Sequence, residues 1–139
     1  MKIWLNHIGV AVQEPSGLTR TLELLGFNKT HIEPVPEQGV KTHFIPLSQA
    51  TTQVELLEVT DPEGTVAKFL EKKGPGVHHL SFEVERGALD SLTAKLAAAG
   101  LQWIYPAPRP GAHGMRVNFI HPKSAGGVLI EVMEPDHGT

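Results

Sequence analysis

A histidine at the head of an alternating apolar run occurs twice in this chain, and the elements after the first copy recur after the second. His7-Ile8-Gly9-Val10-Ala11-Val12 matches His79-Leu80-Ser81-Phe82-Glu83-Val84, 72 residues on. Val54-Glu55-Leu56-Leu57-Glu58 matches Ile130-Glu131-Val132-Met133-Glu134, 76 residues on, both reading apolar, Glu, apolar, apolar, Glu. Two separate landmarks with nearly equal offsets point to a tandem duplication, which constrains the fold more than any single element does.

Each copy carries the same order of elements. After the first histidine strand, Pro15 and Ser16 open a helix that runs to Gly26, with Leu18, Leu22 and Leu25 as its apolar face. After the second, Ala88 to Ala99 form a helix with Leu89, Leu92 and Leu96 on one stripe and Gly100 as the stop. Two extended stretches precede each closing strand. They lie near Asn28–Pro34 and Val40–Leu47 in the first copy, and near Leu101–Tyr105 and Met115–Ile120 in the second. Each copy thus reads β-α-β-β-β. The expectation is a single α+β domain over 1–139, made of module 1 (about 3–60), a linker helix (about 65–73, with Gly74 beyond it) and module 2 (about 77–135).

Strand alternation sorts the side chains. His7, Gly9 and Ala11 share one face, and Ile8, Val10 and Val12 the other, where branched residues suit packing under the helix. The same parity separates His79 from His78 and sets Glu55 and Glu131 apart from their apolar neighbours. Four potential ligands therefore point inward from strands that otherwise look buried. A lone His or Glu on a strand is usually exposed or paired, but the same His and Glu in both copies would converge about a pseudo-two-fold axis. Buried carboxylates stay ionised when paired or metal-bound. A two-His, two-Glu metal site at His7, Glu55, His79 and Glu131 is expected, and imidazole with carboxylate suits Co2+, Mn2+, Ni2+ or Zn2+.

Composition supports this by exclusion. The chain has no Cys, so a disulfide framework, a thiolate nucleophile and Cys-ligated zinc or iron–sulfur sites are out, while eight His remain available. Twelve Lys+Arg against fifteen Asp+Glu, net −3, argue against a nucleic-acid or membrane surface. The N-terminus has no signal-like apolar segment, so a cytoplasmic protein is expected. No acidic residue lies between Asp90 and Glu131, a gap that holds Lys95, Arg109, Arg116 and Lys123. The gap reads either as accident or as a local positive field for an anionic ligand. His31, His43 and His137 have no partner in the repeat and are expected at the surface or in loops; Trp4, Phe69 and Trp103 are expected to pack.

With these residues assembled, the chain resembles the vicinal oxygen chelate superfamily, whose glyoxalase-like fold curves a mixed β-sheet of tandem βαβββ modules around a metal site. Within it, the blocks Val35-Pro36-Glu37-Gln38-Gly39-Val40, Val66-Ala67-Lys68-Phe69-Leu70-Glu71-Lys72, Val77-His78-His79-Leu80, Gly111-Ala112-His113-Gly114 and His121-Pro122-Lys123-Ser124 are similar to the methylmalonyl-CoA epimerases. The resemblance implies a racemase/epimerase that interconverts (R)- and (S)-methylmalonyl-CoA by two-base proton transfer through a metal-stabilised enolate. It implies His7, His79 and Glu131 as ligands, with the Glu55 position as the fourth, where some relatives carry Gln. Cobalt or manganese would be the ion, an acyl-CoA thioester the substrate, and a homodimer the assembly. Glu37 and Glu131 become the two catalytic bases, although spacing alone reads Glu37 as a solvated loop carboxylate. Arg109, His113 and Lys123 become candidates for the substrate carboxylate or CoA phosphates. The stretch Ser48–Gln53 looks about two residues longer than the turn this pattern expects. Alternative readings are a glyoxalase-I-like lyase with a similar metal shell, an Fe(II) ring-cleaving dioxygenase, which leaves Glu55 and Glu37 unexplained, and a metal-free binding protein of the bleomycin-resistance type.

Overall fold

The structure is a computed structural model that describes residues 1–47 and 51–136. His137 and Ser48–Ala50, part of the loop expected to be long, lie outside the described residues. In chain order the elements are β1 (Ile3–Val12), α1 (Ser16–Leu24), β2 (His31–Val35), β3 (Val40–Pro46), β4 (Gln53–Val59), α2 (Thr65–Lys73), β5 (Gly76–Val84), α3 (Leu89–Ala98), β6 (Arg109–Pro110), β7 (Met115–Ile120) and β8 (Leu129–Pro135). They form two compact units, residues 7–78 and residues 1–6 with 79–139.

In the unit of residues 7–78 the strand order is β2-β3-β4-β1, with β1 and β4 parallel and the other neighbours antiparallel. The sheet is packed on both faces. Val12, Ile45 and Leu56 form a core with Val10, Leu18, Leu22 and Phe27. On the other face, Ala11, Val40 and Leu57 meet Val66 and Leu70 of α2. Val10 and Val12 of β1 therefore pack beneath α1 as their alternation predicts. Leu25, expected on the apolar face of α1, is exposed, because the helix ends at Leu24 and the chain turns at Gly26 (φ 101°). That turn aims Phe27 back at the core. Phe27 N–H donates to Leu22 O at 2.8 Å and Gly26 N–H to Glu23 O at 2.9 Å, the paired bonds that close a helix at a left-handed residue.

In the unit of residues 1–6 and 79–139, the start of β1 lies beside β5. Asn6 Nδ2 donates to Glu83 Oε1 at 2.9 Å and Glu85 N–H to Lys2 O at 3.1 Å. From β5 the order continues β8-β7-β6, with β5 and β8 parallel. Val84, Leu89, Leu92, Ile120 and Val132 form the core under α3, with Leu96 and Trp103 against it. Gly100 (φ 93°) closes α3 as Gly26 closes α1: Leu101 N–H donates to Leu96 O at 3.0 Å and Gly100 N–H to Ala97 O at 3.0 Å.

One expected strand is reduced. Of Leu101–Tyr105 only Trp103 makes a ladder contact, a single bridge to Ile120, and the edge strand is instead Arg109–Pro110 against β7. Pro106, Pro108 and Pro110 lack an N–H to donate, which confines pairing here to two residues.

Candidate active site

Parallel pairing sets the first His–Glu couple. His7 lies opposite Gln53, and two residues on, Gly9 lies opposite Glu55. In-register residues of neighbouring strands share a face, so Glu55 stands beside a position with no side chain and can lean towards His7. The His7 Nδ1 to Glu55 Oε2 distance is 3.1 Å, with the two side chains 7% and 12% exposed.

The second couple is built by the same rule. His79 lies opposite Leu129, and two residues on, Ser81 lies opposite Glu131. His79 Nε2 is 3.9 Å from Glu131 Oε1, and both side chains are buried. Ser81 is fully buried, and its hydroxyl donates to Met133 Sδ at 3.3 Å.

The flank on the other side of each carboxylate is also duplicated. Phe44 of β3 is in register with Glu55, and Phe119 of β7 with Glu131. Both rings are buried. Each glutamate thus sits between a small residue and a phenylalanine, an environment that weakens hydration of the carboxylate and strengthens its attraction to a cation. Sequence reasoning missed Phe44 and Phe119. Their signal was a third pair of equivalent positions, 75 residues apart.

The remaining predicted residues are more exposed. Glu37 occupies a 3-10 turn, Pro36–Gln38, between β2 and β3. Arg109 stacks its guanidinium 3.9 Å over the Tyr105 ring. His113 takes a left-handed conformation (φ 59°) in a short turn ahead of β7. Lys123 sits in another turn after β7, its backbone N–H donating to His121 Nδ1 at 3.1 Å. Arg109 lies opposite Val117, part-way along β7, His113 precedes the start of β7 and Lys123 follows its end.

Two expectations about charge are corrected. Arg116 does not contribute to a free positive field. Its Nη1 donates to Glu134 Oε1 at 2.6 Å and its Nη2 to Asp90 Oδ1 at 3.1 Å. These partners, Asp90 foremost, raise its pKa above the usual arginine value against the opposing effect of burial. His43 is not a surface residue. It is 4% exposed, and its Nε2 lies 2.8 Å from Glu58 Oε1.

Known proteins are similar to this chain over most of its length. Residues 6–119 match the Glyoxalase/Bleomycin resistance protein/Dioxygenase superfamily. The mitochondrial methylmalonyl-CoA epimerase of Dictyostelium discoideum is 37% identical over 94% of this chain and 77% of its own length. The chain belongs to the methylmalonyl-CoA epimerase family. Among solved members of that family, the Mycobacterium tuberculosis epimerase superposes with a TM-score of 0.85 at 36% identity, covering 94% of this chain and 87% of its own. An epimerase solved in complex with methylmalonyl-CoA and NH4+ gives 0.83 at 31% identity, covering 96% and 94%. The family consists of glyoxalase-fold enzymes. His7, His79 and Glu131 are buried and supply the imidazole and carboxylate donors suited to a divalent ion in such a fold. Among the described residues, no helix is long and apolar enough to cross a membrane.

Proposed function

We propose that this chain interconverts (R)- and (S)-methylmalonyl-CoA by taking the proton at C2 from one face and returning a proton to the other. The carrying observation is the duplicated couple: a buried His and Glu on adjacent parallel strands in each unit, in the same register, within a chain of the epimerase family. His7, Glu55, His79 and Glu131 would together hold one divalent ion. The donor set fits, because two imidazoles and two carboxylates among apolar neighbours satisfy a hard or borderline cation and are themselves kept ionised by it. When bound, the ion supplies Lewis-acid stabilisation of charge on the thioester oxygen. Cobalt or manganese is the favoured metal, with nickel and zinc as competitors.

Glu37 and Glu131 act as the two bases, each contributing roughly 10²–10⁴-fold. Glu131, set between Phe119 and Ser81, takes and returns a proton on one face of the C2 carbon. Glu37 serves the opposite face of the C2 carbon from its turn. Arg109 and His113 meet one anionic part of the acyl-CoA, and Lys123 a separate one. A cytoplasmic homodimer completes the reading; sedimentation and cell fractionation test it.

The decisive experiment is proton NMR of (R)-methylmalonyl-CoA in D2O with cobalt- or manganese-loaded protein beside a metal-stripped control. Metal-dependent loss of the C2 proton with appearance of the other epimer is expected. Absence of exchange with either metal overturns the reading and directs attention to hemithioacetals.

A further inference from the structure

The turn that carries Glu37 is seated on a second turn through two glycines. Gly39 ends the Pro36–Gln38 turn at φ 68°, ψ 36°, its N–H donating to Pro36 O at 3.0 Å. Its carbonyl accepts two amides from across the seam, Thr60 N–H at 2.8 Å and Asp61 N–H at 3.1 Å. On the far side, Gly64 closes its own turn by donating to Asp61 O at 3.0 Å and stands at the N-terminus of α2.

The space at the two glycines is already filled. A Cβ on Gly39 would stand 2.9 Å from Asp61 Cβ, and its left-handed φ disfavours any side chain. A Cβ on Gly64 would stand 3.2 Å from Asp61 O, 3.3 Å from Gln38 O and 3.5 Å from Gly39 Cα. Gly64 has φ −74° and ψ 167°, extended values open to any residue. A side chain there would press on the Asp61 carbonyl of its own turn and on the Gln38 carbonyl of the Glu37 turn, each of which must give by a few tenths of an ångström, so proximity and not conformation favours glycine at this position. Gln38, whose carbonyl makes one of these approaches, is next to Glu37.

Resting on the reading of Glu37 as a base, we infer that Gly39 and Gly64 are positioning residues that set the height of the Glu37 carboxylate above C2. Proton transfer is steep in distance, and a misplacement of about 1 Å costs about 10²-fold. Displacing the turn by part of that distance degrades the Glu37 face of the reaction and leaves the Glu131 face intact. A two-base enzyme makes that asymmetry measurable. The epimer deprotonated by Glu131 can still exchange its C2 proton with solvent after Glu37 has been moved.

The test compares Gly64→Ala, Glu37→Gln and a control on the same turn, Glu63→Ala, in metal-loaded protein. The readouts are kcat, KM, metal content and C2 exchange in D2O from each epimer. Gly64→Ala should lower kcat for epimerisation about 10-fold with KM and metal content unchanged, and should slow exchange from the epimer that Glu37 deprotonates while leaving exchange from the other unchanged, the asymmetry that Glu37→Gln shows in full. Glu63→Ala should match the wild type. Gly39→Ala should behave like Gly64→Ala and recover partly in the Gly39→Ala/Asp61→Gly double variant, which removes the obstructing Cβ. If Glu37→Gln loses turnover while Gly64→Ala keeps it, or if Gly64→Ala loses exchange from both epimers equally, the positioning inference is overturned and Glu37 stands. Wild-type turnover in Glu37→Gln overturns the base itself, and the inference with it.

Discussion

At Glu55 and Glu131 the neighbours matter as much as the carboxylates. Gly9 and Ser81 leave room beside them, and Phe44 and Phe119 close the other side. A branched side chain at Gly9 would fill the gap through which Glu55 reaches His7. Gly9→Val should keep the far-UV circular dichroism of the wild type and lose most of its cobalt on dialysis. Glu131→Gln should abolish turnover, because the proposed function makes that residue both ligand and base. Glu55→Gln should retain activity within about 10-fold, since an amide oxygen still coordinates, although without the charge. Parallel assays of kcat and bound metal separate these cases. The His–Glu couples were legible in the sequence because each residue type recurs at an equivalent place. His43 was not, since recognising it requires the β3–β4 register that sets it opposite Leu56, within reach of Glu58. The alternation of one strand carries no information about its neighbour's register.

Elements in this fold are tied together by single buried side chains. Glu134, at the end of β8, is completely buried and accepts Gly87 N–H at 2.6 Å and Leu89 N–H at 3.4 Å, at the start of α3. It holds Arg116 of β7 with its other oxygen. One carboxylate thus caps a helix and joins it to two strands. Glu134→Ala would orphan two amides and take one of its carboxylate partners from the Arg116 guanidinium, which is only a quarter exposed and keeps Asp90. A loss of about 2–3 kcal/mol is expected, seen as a lower urea midpoint at unchanged m-value. The helices themselves were well marked in sequence by their glycine stops and apolar stripes. The edge strand was not, because the apolar character of Leu101–Tyr105 promised pairing whereas the prolines after it decided where pairing could occur.

For the molecule as a whole, the repeat foretold two similar halves, yet the compact units do not coincide with the repeat boundary, since Met1–Asn6 belongs with residues 79–139. If one ion takes ligands from both copies, chelation should lower Tm and cobalt should restore it, more so at higher cobalt concentration. His7→Ala and His79→Ala should each remove the cobalt-induced shift entirely, as thermal scans with and without EDTA would reveal.

The divided membership of β1 also bears on how the chain is made. During synthesis, residues 7–78 can contact one another before β5 is complete, whereas residues 1–6 gain their partners only once β5 has been made. A break at Gly74–Pro75 would yield two fragments of unequal competence, the second missing the Met1–Asn6 segment that belongs to its unit and able to regain it only by complementation with the first.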